Sequence, residues 1–193
     1  MRIGISLTSS LKVAPEYIDL THMVAASLAH EGFGVVFGGT DYGMMGELAK
    51  SYKDNGGKDL VGVIAKDLMK VTKGYKAYSN LDEKFLVPTM EDRKRKIVEL
   101  SNGFIILPGG YGTLEELGII VGGKANKLFD KPIAIYNYKG FYDKFIEFLK
   151  YMTEKSFSKI ALGNIVLIED DINNIINYFK EYKPISLPDK FID

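Results

Sequence analysis

Lys84-Phe-Leu-Val87, the run from 89 to 102, and Phe104-Ile-Ile-Leu107 followed by Pro108-Gly-Gly-Tyr-Gly-Thr113 form the stretch that decides the fold. Two short apolar runs flank a segment in which Met90, Arg93, Lys94 and Ile97 fall at helical spacing, which predicts strand, helix, strand. Strands that are continuously apolar need cover on both faces, as in a parallel sheet wrapped by helices. The same alternation extends in both directions. Upstream, strands are expected over 2–8, 34–37 and 60–64, with helices over 15–30 and 44–55. In the first helix Ile18, Val24, Ala25 and Leu28 recur at helical spacing before Gly32 ends it. Downstream, a helix follows Thr113, then strands over 133–136 and 165–168 and helices over 141–153 and 171–182. The polar stretch 66–81 has no clear period and reads as loop with at most a short helix. The expected fold is therefore α/β, a single Rossmann-like, doubly wound parallel sheet with helices on both faces. It would occupy residues 1–183, with a C-terminal tail at 184–193.

A chain of 193 residues is long enough for one well-buried domain, and 46% hydrophobic with 26% charged residues is an ordinary globular composition. Twenty-five Lys+Arg balance 25 Asp+Glu, so no global positive field exists to collect nucleic acid or anionic membrane. Zero cysteines exclude disulfides, thiolate nucleophiles and cysteine-ligated zinc, and two histidines exclude a multi-histidine metal site. The N-terminal apolar run is too short for a signal peptide, and no run of about 18 apolar residues occurs. A cytoplasmic protein with no nucleic-acid or membrane partner is expected.

In doubly wound sheets ligands bind beyond the carboxyl ends of the strands. Three loops qualify: Ser9-Ser10, Gly38-Gly39-Thr-Asp-Tyr-Gly43 and Pro108-Gly-Gly-Tyr-Gly-Thr113. The last joins a buried strand to a helix, where exposed amides at the helix start face an anion, which describes a phosphate cradle. It matches neither the Walker pattern nor the dinucleotide fingerprint. Its plain structural alternative is a tight turn in which Thr113 caps the helix and Glu116 completes a Thr-x-x-Glu capping box. Thr89-Met90-Glu91-Asp92-Arg93-Lys94 opens another helix, and Met90, Arg93, Lys94 and Ile97 fall on one stripe. Arg93 thus sits where the core-facing pattern expects an apolar residue, so it is paired or in a cleft. Arg95 and Lys96 read as solvated. His22 and His30 have no partners at ligand spacing.

Gly38-Gly39…Gly43-x-Met-Gly46, Thr89-Met-x-x-Arg93-Lys94 and Pro108-Gly-Gly-Tyr-Gly-Thr-Leu-Glu-Glu116, in this order, resemble the LONELY GUY family of cytokinin riboside 5′-monophosphate phosphoribohydrolases. The resemblance runs roughly from residue 3 to 171. It implies Arg93 and Glu116 as the catalytic pair. Ser10, Gly39, Met90, Lys94, Gly109, Gly110, Tyr111, Gly112 and Thr113 would hold the nucleotide and its phosphate. It also implies a homodimer acting on a nucleoside 5′-monophosphate, with no metal or organic cofactor. Although such proteins were long labelled lysine decarboxylases, no Schiff-base lysine is recognisable. The chain departs from the family where a tryptophan and a glutamine are usual, having Gly118-Ile-Ile-Val-Gly122-Gly123-Lys124-Ala-Asn instead. It also has Leu7-Thr-Ser-Ser10 for the commoner Gly-Ser-Ser, and Glu91 for a frequent histidine. A non-catalytic nucleotide-binding or carrier protein, and a hydrolase of ordinary purine nucleotides, are the alternatives.

Overall fold

The computed structural model describes residues 1–187. Strands β1 (Arg2–Ser6), β2 (Gly34–Phe37), β3 (Leu60–Ala65), β4 (Glu83–Val87), β5 (Gly103–Ile106), β6 (Ile133–Tyr136) and β7 (Leu167–Glu169) alternate with helices. The helices are α1 (Pro15–His30), α2 (Gly43–Asp54), α3 (Lys66–Val71), α4 (Met90–Leu100), α5 (Tyr111–Ala125), α6 (Asp143–Glu154) and α7 (Ile172–Glu181). All seven strands pair in parallel in the order β4-β3-β2-β1-β5-β6-β7, which is the doubly wound arrangement expected. Pro15 at the first turn of α1 and Thr89, whose hydroxyl oxygen accepts from the Asp92 amide at 3.1 Å, set two of the helix starts.

The period of two along β1 divides its side chains between two layers. Ile3, Ile5 and Leu7 join Leu20, Val24 and Leu28 of α1, Leu48 of α2 and Ile175 of α7 in the larger core. Gly4 and Ser6 turn to the opposite face, where α4 and α5 lie. There Leu117, Ile120 and Ile146 pack on Phe104 and Ile106, and Ile97 packs on Val61 and Val63. Strand order reverses at β1, whose neighbours are β2 on one side and β5 on the other. The crevice at the C-terminal ends of β1 and β5 is therefore the switch point at which such folds bind ligands.

β1 ends at Ser6 rather than at 8 and α6 begins at Asp143 rather than at 141, and two further differences bear on the packing and the site. The last strand begins at Leu167 rather than at 165, because Ile165 has a helical backbone (φ −104°, ψ −42°) at the end of a 3₁₀ turn, Leu162–Asn164. Ile165 and Val166 are buried as expected, but in the second core rather than in the sheet. Helix α5 begins at Tyr111, with Gly110 at the N-cap and no capping side chain. Thr113 is thus the third helical residue, and the capping box with Glu116 does not form. Of the tail, 188–193 lies outside the described residues, whereas Ile185 N–H donates to Asp130 and Leu187 packs on the second core. Among the described residues no helix is long and apolar enough to cross a membrane.

The divergent segment at the end of α5 has its own packing. A Cβ at Gly123 would lie 2.5 Å from the Phe129 ring, so the glycine is what lets that ring lie against the helix. The next residue, Lys124, is 1% exposed and donates to the Tyr182 hydroxyl (2.8 Å) and the Lys131 carbonyl (3.1 Å). Tyr182 bonds Asp130 in turn. Burial pushes the Lys124 ammonium below its ordinary value, and Asp130 opposes that shift.

Candidate active site

The switch-point crevice holds a cavity of about 270 Å³ lined by Thr8, Ser10, Tyr17, Met44, Gly109, Gly110 and Phe141. Its floor is the junction of the β1 and β5 loops. Tyr17 and Phe141 meet edge to face at 5.9 Å on its rim. A larger apolar cavity of about 470 Å³ lies between α5 and α6, away from the strand ends; Arg93 and Glu116 line neither of the two cavities.

Arg93 and Glu116 come together across the α4/α5 layer. The guanidinium Nη1 lies 3.5 Å from Glu116 Oε1, and Nε donates to the Val63 carbonyl at 3.0 Å. Both side chains are nearly covered, at 6% and 11% exposure. Arg93 reaches this place because Gly38 has no side chain: a Cβ there would lie 1.7 Å from Arg93 Nη2. Burial pushes the Glu116 carboxyl above the ordinary glutamate value, while the positive charge of Arg93 and a hydrogen bond from Ser6 oppose it. The carboxylate is thus poorly solvated and aligned by a fixed cation, the condition that suits a base or an electrostatic stabiliser.

The remaining expected residues divide into three groups. Gly110, Tyr111, Gly112 and Thr113 span the N-cap and first turn of α5, whose first amides have no partner within the helix. Tyr111 contributes backbone there, since its side chain is 92% exposed. The Thr113 hydroxyl oxygen is buried with no hydrogen-bond partner. Gly109 clears the Thr113 side chain, as a Cβ would meet Oγ1 at 2.1 Å. Ser10 and Gly109 share the cavity wall.

Lys94, Met90 and Gly39 have other commitments. Lys94 is buried and paired with Glu115 at 2.5 Å and Glu91 at 3.6 Å; the bond it donates to Glu115 raises its pKa. It ties α4 to α5. The Met90 amide is donated to Asp67. Gly39 has a left-handed backbone, and its missing side chain admits Ile64 and the Gly62 backbone.

Sequence reasoning missed Gly38 as the glycine against Arg93, and it missed Ser6 beside Glu116. Ser6 was findable, because the strand period turns it away from Ile5 towards the Glu116 layer. The polar stretch 66–81, aperiodic in sequence, gave no signal of its place. That stretch folds over the Gly38–Gly43 loop: Asp41 N–H donates to the Lys76 carbonyl, Tyr78 N–H to that of Gly39, and Thr40 bridges Ala77.

Comparison with known proteins gives the family and the fold. A family model described as possible lysine decarboxylase matches residues 45–179. Cytokinin riboside 5′-monophosphate phosphoribohydrolase LOG of Oryza sativa subsp. japonica is 31% identical over 87% of this chain and 68% of its own. LOG1 of Arabidopsis thaliana, of the same designation, is 29% identical over 95% of this chain and 84% of its own. Among solved structures, the molybdenum cofactor carrier protein of Chlamydomonas reinhardtii superposes with a TM-score of 0.69 at 18% identity, covering 93% of this chain and 96% of that one. At that identity the likeness speaks for the fold alone. The sequence matches and the seven-stranded parallel architecture agree with the motif order, and the chain belongs to the LONELY GUY (LOG) family.

Proposed function

We propose that the chain hydrolyses the N-glycosidic bond of a nucleoside 5′-monophosphate, of cytokinin riboside or AMP type, to free base and ribose 5-phosphate. The observation that carries this reading is the buried Glu116 held 3.5 Å from Arg93, a few residues beyond a glycine-rich helix N-terminus suited to phosphate. Phosphate binding alone needs no buried carboxylate. Cleavage through an oxocarbenium-like sugar does, by analogy with glycoside hydrolysis. Glu116 stabilises the cationic sugar and orients or deprotonates the water that attacks the anomeric carbon. The base departs with the bond's electron pair and is protonated. Arg93 orients the nucleotide and balances developing negative charge. The phosphate on the α5 N-terminus supplies binding energy that positions the ribose.

The test is base release from AMP and its N6-isopentenyl analogue against the corresponding nucleosides. The monophosphates are expected to turn over and the nucleosides not, with no effect of a chelator; equal rates would overturn the phosphate cradle. AMP bound without base release would favour the carrier reading, the role named for the Chlamydomonas fold relative.

The assembly proposed is a homodimer. Tyr111 and Leu114, three residues apart on one side of α5, are exposed. A second copy would cover them. Light scattering over a concentration series should give twice the chain mass of 21.6 kDa, and a monomer at every concentration would refute it.

A further inference from the structure

Among the described residues, two buried side-chain oxygens have no hydrogen-bond partner, Thr113 Oγ1 and Tyr75 Oη. A buried polar group left unbonded costs about 1–3 kcal/mol, so each calls for a reason. Thr113 stands in the phosphate loop. Tyr75 stands on the strap from Thr72 to Tyr78 that crosses the Gly38–Gly43 loop. The strap is held by Asp41 N–H to Lys76 O (2.9 Å), Tyr78 N–H to Gly39 O (2.9 Å), Thr40 Oγ1 to Lys76 O (3.1 Å) and Tyr42 Oη to Gly74 O (2.5 Å). The Tyr75 ring meets Tyr42 edge to face at 6.5 Å, so the ring is packed independently of its hydroxyl. Thr40, which lies outside hydrogen-bond geometry of that hydroxyl, still favours its ionised form, as does the charge of Arg93, while Tyr42 opposes it. Thr113 Oγ1 lies in the loop before α5, and Tyr75 lies on a strap bonded to the loop whose Gly38 faces the Arg93 guanidinium.

We infer that Tyr75 is a further substrate-binding residue, whose hydroxyl donates a hydrogen bond to an acceptor on the ribose or base of the nucleotide bound beside Arg93. This rests on the proposed nucleotide site. Burial raises the phenol above its ordinary value, so it stays a donor through the neutral range. Arg93 donates only, and so cannot duplicate the phenol's capacity to accept as well as donate.

Tyr75→Phe keeps the ring and removes only the hydroxyl. Because that hydroxyl has no partner within hydrogen-bond geometry, thermal stability should be unchanged or higher. AMP affinity by calorimetry, and kcat/KM for AMP, should each fall about tenfold, the loss of one hydrogen bond of about 1.4 kcal/mol. A structural hydroxyl gives the reverse: lower stability with parental affinity and kcat/KM. That result, or no change in affinity and kcat/KM, overturns the inference. Repeating the measurement with 2′-deoxy-AMP separates the acceptors: a loss confined to AMP places the bond on the 2′-hydroxyl, and an equal loss places it elsewhere on the nucleotide. If the parent binds AMP without cleaving it, the hydrolase reading fails while the calorimetric comparison still decides Tyr75. A parent that does not bind AMP overturns both.

Discussion

Glu116→Gln is expected to lower turnover by about 10²-fold or more, the scale on which a positioned electrostatic group contributes. The substitution keeps the shape and removes the charge. Since α5 is capped by Gly110 and not by a Thr113–Glu116 box, no helix-start hydrogen bond is lost, and AMP affinity should stay near parental. The pH profile gives a second reading. Burial raises the Glu116 pKa above 4.5, and the reactive form is the carboxylate. Activity should therefore fall as pH drops through a value above the ordinary glutamate range, and this acid limb should be missing from the residual activity of Glu116→Gln. A variant with near-parental turnover would refute the catalytic assignment and revive a binding or carrier role. A parental kcat profile that stays flat down to pH 4.5 would refute the raised carboxyl.

Gly38→Ala is expected to abolish most activity without touching either charged residue. The new methyl would lie 1.7 Å from Arg93 Nη2, far inside contact distance, so the guanidinium must leave its place. Two constraints go with it, the 3.0 Å bond from Nε to Val63 O and the 3.5 Å approach to Glu116. A misplacement of about 1 Å at a catalytic group costs on the order of 10²-fold in rate. Overpacking adds about 1–3 kcal/mol of destabilisation, to be read by denaturant titration. Retention of parental kcat/KM would show that Arg93 does not need the geometry seen here.

The alternation of short apolar runs with helical periods determined the layer architecture, because burial on both faces of a parallel sheet leaves little choice of side chain along its strands. The stripe on α4 likewise showed that Arg93 faces inward, since a helix carries its buried face in its own spacing. The glycine-rich turn after β5 marked a candidate anion site through local backbone chemistry alone. Tertiary structure decided what these residues meet. That Arg93 pairs with Glu116 depends on α4 and α5 lying side by side on one face of the sheet, a relation between segments with separate local patterns. The start of α5 at Tyr111 rather than at Thr113 followed from glycines that permit several turn geometries, of which packing selected one. Gly38 and Ser6 gained their neighbours the same way: an absent side chain and a small hydroxyl acquire meaning from what the fold brings to them, and no period in the sequence encodes that neighbour.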